Sequence, residues 1–168
     1  NRGVLMTNRL AITAGPWSSQ LLPELSRPLS VTNQCVGYFE LAGEPNQFQV
    51  GQFPVWIYLG LGKNNTFYGL PQFSHEGIKL ARHVTMGQTA DLDSVRQSSD
   101  LAILDLRQFL NRHFQHSIQR FCRAEYCLYT NTETEDYLID FYPEKSNVVV
   151  GAGFSGHGFK LAPLTGKI

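Results

Sequence analysis

The sequence predicts an α+β fold, a mixed and largely antiparallel sheet flanked by helices. Three observations carry this. Short apolar runs of strand length recur along the chain with turn residues between them, only one segment sustains a helical period, and strands and helices do not strictly alternate. The 168 residues fit about one domain and suffice for a sizeable core. With 42% apolar and 17% charged residues the chain composes a folded protein rather than a disordered one.

The elements follow in order. Val4-Leu5-Met6 and Leu10-Ala11-Ile12 flank Thr7-Asn8-Arg9 and predict a short hairpin or strand pair ended by Gly15-Pro16. Trp17 to Leu25 predicts a short helix, closed before Pro28. Val31 to Leu41 and Phe53 to Leu61 are strand-like; Asn64-Asn65 marks a turn, and Phe67 to Leu70 resumes strand. In Gly77 to His83, apolar Ile78 and Leu80 alternate with basic Lys79 and Arg82. Ser98-Ser99-Asp100 offers N-cap chemistry for a helix whose Ile103, Leu106, Leu110 and Phe114 form one apolar face. Phe121 to Thr130 and Tyr137 to Phe141 read as strands around the polar turn Asn131 to Asp136. Asn147 to Val150 is the last strand, and Gly158 to Ile168 opens a helix.

Composition excludes several partners. Lysine plus arginine number 14 and aspartate plus glutamate 14, so no net field attracts nucleic acid or an anionic membrane. No apolar run approaches the roughly 18 residues of a spanning helix. Cys35, Cys122 and Cys127 are an odd, sparse set without CxxC spacing, which argues against a disulfide framework and a structural zinc site and makes a reducing cytoplasm the default. His75, His113, His116 and His157 lack metal-ligand spacing, and we expect no metal. The chain opens without an initiator Met, so we expect a piece of a longer protein.

One motif invites a nucleotide reading. Val148-Val149-Val150 runs into Gly151-x-Gly153-x-x-Gly156, the spelling of the dinucleotide-binding fingerprint. That fingerprint needs a following helix, a second strand and an acidic residue about 20 positions on. The last acid here is Glu144, upstream of the motif, and the context is absent. A glycine-rich turn between strand and helix is the plainer reading.

Three stretches in this order and spacing change the weight of that loop. They are YGLP with HEGIKLARH (residues 68–83), EYCLYTNTETEDYLID (125–140) and NVVVGAGFSGHGFKLAP (147–163). Together with the opening LAITAGPWSSQLLPEL, they resemble the C-terminal half of the monomeric sarcosine oxidase and N-methyltryptophan oxidase family, FAD-dependent amine oxidases of the D-amino-acid-oxidase superfamily. The resemblance covers nearly the whole chain. It implies that residues 1–28 end the FAD-binding domain, 29–118 form the substrate domain, and 119–168 return to the FAD-binding domain with a flavin-contacting loop. The N-terminal FAD-binding half of the family, with its own glycine fingerprint, has no counterpart here.

The resemblance also implies roles. By composition alone Cys127 reads as a small buried hydrophobe; the surrounding C-x-Y-T and the interval to Lys160 align it instead with the cysteine that carries FAD covalently, a bond only a thiolate forms. Lys79 aligns with the lysine over the flavin at which oxygen is activated, and otherwise reads as a solvated strand lysine. His83 and Tyr68 align with residues near the bound amine; His83, four residues after Lys79, falls on the same strand face. Otherwise they are a strand-end histidine and a core or edge aromatic. Lys160 aligns with the lysine that pairs with the substrate carboxylate, or is a plain first-turn residue. Gly153, Phe154, Ser155, Gly156, His157 and Gly158 resemble the segment on the flavin pyrimidine edge, where glycines permit close backbone approach and a helix start favours negative charge. The implied function of the parent is oxidation of the C–N bond of a secondary amine or N-methyl amino acid, with oxygen as acceptor and hydrogen peroxide as product. The alternatives are a flavin dehydrogenase of another amino-acid class, or a fragment inactive without its missing half.

Overall fold

The computed structural model describes residues 3–44, 46–62, 64–84, 92, 100–143 and 145–167. Ser98 and Ser99, expected at the helix N-cap, lie outside these. The architecture is α+β with a three-stranded mixed sheet and a five-stranded sheet. The chain divides into two compact units, Asn1–Thr32 with Tyr129–Ile168, and Asn33–Leu128.

In the first unit, β8 (Lys145–Ala152) is the central strand. β1 (Leu10–Ile12) joins it in parallel, with Leu10 opposite Val148 and Ile12 opposite Val150. β7 (Leu138–Tyr142) joins it antiparallel, with an irregularity between Phe141 and Tyr142. The expected hairpin of 4–6 with 10–12 does not form: Val4, Leu5 and Met6 are exposed and outside any strand. β1 satisfies its backbone on β8 instead, where Ile12 also reaches a core of Leu29, Val150 and Ala152. The expected helix over 17–25 is three short pieces: a 3₁₀ turn at Gly15–Trp17, α1 (Ser18–Leu21), and a second 3₁₀ turn at Pro23–Ser26. Pro23 is the reason. A residue before proline is driven out of the helical region, and Leu22 sits at φ −130°, ψ 89°.

In the second unit the strand order is β3-β4-β5-β2-β6. These are β2 (Ser30–Leu41), β3 (Trp56–Leu59), β4 (Thr66–Leu70), β5 (Ile78–His83) and β6 (Ile118–Asn131). The β3–β4, β4–β5 and β5–β2 pairs are antiparallel. The turn at 131–136 is therefore no hairpin loop, because β6 and β7 belong to different sheets. One face of the sheet packs on α2 (Asp100–His113). Leu106 and Leu110 are buried as their period predicts, and Phe109 joins them, stacked 3.9 Å from the Phe67 ring. With Phe39, Leu41, Ile78 and Leu80 they form the main core, each side chain contributing about 1.5–3 kcal/mol by leaving water.

Arg82 ties the helix to the sheet. Its Nε and Nη2 donate to Asp105 at 2.8 and 2.5 Å, and its Nη1 donates to the Asn64 carbonyl at 2.7 Å. The pair is part-exposed, so Asp105→Ala is expected to cost about 1 kcal/mol, read as a lower urea midpoint at unchanged slope. An unchanged midpoint would show that the pair is dispensable. No helix among the described residues is long and apolar enough to cross a membrane.

Candidate functional site

Among the described residues, no helix of its own unit packs on the other face of the five-stranded sheet. On β5, Ile78 and Leu80 enter the helix-side core, so Lys79, Ala81 and His83 turn the opposite way. Ala81 confirms the direction by packing with Val36, Tyr38 and Tyr68. Across the ladder, Tyr68 on β4 stands opposite Ala81, and Lys79 stands opposite both Leu70 on β4 and Tyr38 on β2. Three of the sequence-predicted residues, Lys79, His83 and Tyr68, thus share one face.

Cys127 reaches the same face by an irregularity. Phe121 packs into the helix-side core, and Cys122 packs with Val36, Tyr38 and Ala81 on the other side. The next residue, Arg123, also lies on that side, its guanidinium 4.2 Å above the Tyr38 ring. Two consecutive residues on one face mark a break in alternation of the β-bulge kind. From Arg123 onward the odd residues face away from the helix, which brings Glu125 and then Cys127 to the side of Lys79.

This face carries a charged network that sequence reasoning missed. The buried Tyr38 hydroxyl donates to Glu125 Oε2 at 2.8 Å, and Arg123 Nη1 donates to Glu125 Oε1. The His75 ring meets Tyr38 edge-on at 4.8 Å. Burial first, and then the Glu125 carboxylate, push the Tyr38 phenol up to about 12, so it remains a neutral donor. Glu125 is held below the usual carboxylate range, chiefly by the Tyr38 hydrogen bond, with help from Arg123 and Lys79. Cys127 is an exposed residue, yet packing around its sulfur pushes the thiol up; Lys79 pulls it down, and Glu125 opposes Lys79. Cys35 and Cys122 are half-buried thiols raised by burial, as packing residues are. Among the described residues, Glu40, Glu76 and Cys122 come within metal-ligand reach of one another. Arg120 already bridges both carboxylates, at 2.7 and 2.8 Å.

The glycine loop belongs to the first unit. Gly151 is an ordinary residue of β8; a Cβ there would meet nothing nearer than 3.5 Å. Gly153 (φ 66°), Ser155 (φ 49°) and Gly156 (φ 77°) are left-handed and build the turn. Ser155 is fully buried: its N–H donates to the Thr130 carbonyl at 2.9 Å and its hydroxyl to the Gly153 carbonyl at 3.2 Å. A Cβ on Gly153 would meet Thr132 at 2.6 Å, one on Gly156 the Tyr129 ring at 2.2 Å, and one on Gly158 the Phe154 Cβ at 2.6 Å. The protein's own packing therefore requires these glycines, a reason distinct from the ligand approach expected of them. The expected helix start is also modest: a 3₁₀ turn, Phe159–Leu161, precedes the four-residue α3 (Ala162–Thr165).

Two side chains fix the end of the loop. Tyr137 Oη donates to the His157 carbonyl at 2.9 Å and lies 2.7 Å from His157 Nδ1. Phe154 packs on Tyr137 at 5.0 Å. Lys160 is exposed, and its Nζ donates to the same His157 carbonyl at 3.0 Å.

A family model described as FAD dependent oxidoreductase matches residues 2–168. Monomeric sarcosine oxidase from Bacillus sp. (strain B-0618) is 36% identical over 173 residues, an alignment covering 99% of this chain and 43% of that protein. Peroxisomal sarcosine oxidase from Homo sapiens is 37% identical over 166 residues, covering 95% of this chain and 42% of that protein. The chain thus spans about two fifths of these relatives. Among solved structures, fructosamine oxidase (Amadoriase II) from Aspergillus fumigatus shares the fold with a TM-score of 0.69 at 20% identity, covering 98% of this chain and 41% of that one.

Proposed function

The chain belongs to the FAD dependent oxidoreductase family, and on that premise we propose that the whole protein is a flavin-dependent amine oxidase of sarcosine-oxidase type. It oxidises the C–N bond of a secondary amine or N-methyl amino acid, passes the electrons to oxygen and releases hydrogen peroxide. The observation that carries this reading is the convergence of Lys79, His83, Tyr68 and Cys127 on the sheet face opposite α2. We assign Asn33–Leu128 to the substrate domain and the remainder to the FAD-binding domain.

The residues fit the cofactor chemically. Cys127 is exposed on an open face suited to a flat ring, with the Lys79 cation near enough to favour its thiolate. When bound, the flavin supplies the hydride-accepting and oxygen-reducing chemistry. Cys127 tethers it. Lys79 presents positive charge where electrons reach oxygen, an electrostatic role. Tyr68 and His83 orient the amine, and Lys160, exposed at the start of its 3₁₀ turn, takes the substrate carboxylate. The loop from Gly153 to Gly158, with Phe154, Ser155, Gly156 and His157, lines the cofactor. The odd, sparse set of three cysteines without CxxC spacing supports a reducing compartment, the cytoplasm or an organelle such as that in the human relative's name.

Acid denaturation of the full-length protein tests the tether. Flavin absorbance is expected to stay with the polypeptide and to map to the peptide containing Cys127, and Cys127→Ser is expected to release it all. Complete release from the unaltered protein would sink the tether. A panel of secondary amines scored by peroxide release tests the reaction itself.

A further inference from the structure

The family resemblance gives Glu125 no role, yet its side chain is gripped from two sides. Tyr38, only 4% exposed, donates to one carboxylate oxygen at 2.8 Å, and Arg123 donates to the other. Tyr38 is itself immobilised, edge-on to His75, beneath the Arg123 guanidinium, and directly opposite Lys79 in the ladder. Glu125 thus stands on β6, separated from Lys79 on β5 by Tyr38 of β2, and two residues before Cys127 on the same face.

We propose that Glu125 is a positioning residue, a fixed anion clamped by Tyr38 and Arg123 that partners Lys79 and sets the charge around the Cys127 sulfur. This rests on the reading that Lys79 and Cys127 face the cofactor. A clamped carboxylate cannot swing away or neutralise itself readily, so its field is constant. That field restrains the Cys127 thiol from giving its proton to solvent. The other groups facing this locus are Tyr68 on β4, Tyr38 on β2, Arg123 on β6, and His75. Arg123 is largely spent on Glu125, leaving Lys79 and Glu125 as the opposed charges that govern the sulfur. The face is thereby balanced: one charge prepares the nucleophile and the other holds it back.

The test is iodoacetamide labelling of Cys127, followed by peptide mass spectrometry across pH on full-length protein prepared free of cofactor. The thiolate displaces iodide, so the rate tracks the ionised fraction. Glu125→Gln is expected to raise the Cys127 rate near pH 7.5 by about threefold to tenfold, the change in thiolate fraction that loss of one nearby charge produces. Glu125→Asp, which keeps the charge, is expected to stay near the unaltered protein, and Lys79→Met to slow labelling. Loosening of the fold would raise Cys35 and Cys122 labelling as well, and steady rates there separate charge from damage. Should Glu125→Gln fail to fold, Glu125→Ala decides by the same readout. A Cys127 rate that is unchanged or slower in the folded, charge-removing variant overturns the proposal. Because no flavin takes part, this outcome is independent of whether Cys127 carries the cofactor.

Discussion

Lys79→Met in the full-length protein is expected to slow the reaction of the substrate-reduced enzyme with oxygen by about 10²–10³-fold, the usual cost of removing one preorganised electrostatic stabiliser. Reduction by substrate under anaerobic conditions should change far less. Lys79 is fixed by its ladder partners Tyr38 and Leu70, and its charge is felt at both Glu125 and Cys127. Methionine keeps most of the length and apolar stem of lysine and removes only the cation. Lys79→Arg restores charge with a different shape and is expected to recover part of the rate. Stopped-flow mixing of reduced enzyme with oxygenated buffer reads the effect. An unaltered oxygen rate in Lys79→Met would remove Lys79 from the mechanism and leave the family assignment standing.

The second large effect is expected at Gly156. An alanine there puts its Cβ 2.2 Å from the Tyr129 ring, on a backbone already at φ 77°. The left-handed backbone costs about 1–2 kcal/mol with a side chain, and forced overpacking adds about 1–3 kcal/mol. We expect Gly156→Ala to lose about 2–4 kcal/mol, seen as a fall in Tm. Gly151→Ala is the matched comparison. Its nearest contact is 3.5 Å away and its backbone is extended strand, so it should be neutral or slightly stabilising. The reverse ranking would mean that Gly151, and the dinucleotide spelling it completes, matters structurally after all.

That contrast also shows what was legible in the chain. The spelling Gly-x-Gly-x-x-Gly could be discounted from sequence because its context was missing, but the reason for each glycine could not. Tyr129, Thr132 and Phe154 lie against those backbones only once the loop is closed. Local periodicity served well where packing obeys it: Leu106 and Leu110 on α2, and the alternation that sends Lys79 and His83 to one side of β5. Phe109 escaped because it sits beside the apolar stripe and is buried by the Phe67 and Trp56 rings, partners distant in sequence. Val4 to Met6 misled because an apolar triplet says nothing of which strand will accept it. Cys127 is the sharpest case. Counting by twos from Phe121 puts Cys127 on the helix side, and the break after Cys122 reverses every later residue. The Tyr38–Glu125 bond depends on that same break and on the neighbourhood of β2 and β6, neither of which any local pattern encodes.

The pairing of β1 with β8 has a further consequence for biosynthesis. β1 pairs in parallel with β8, so this pairing waits for Val148–Val150 to leave the ribosome. Everything between them, including the ladder of β3, β4, β5 and β2, is made first and can close on shorter loops. Vectorial synthesis therefore favours an order in which the ladder of Asn33–Leu128 matures before β8 is available to pair with β1.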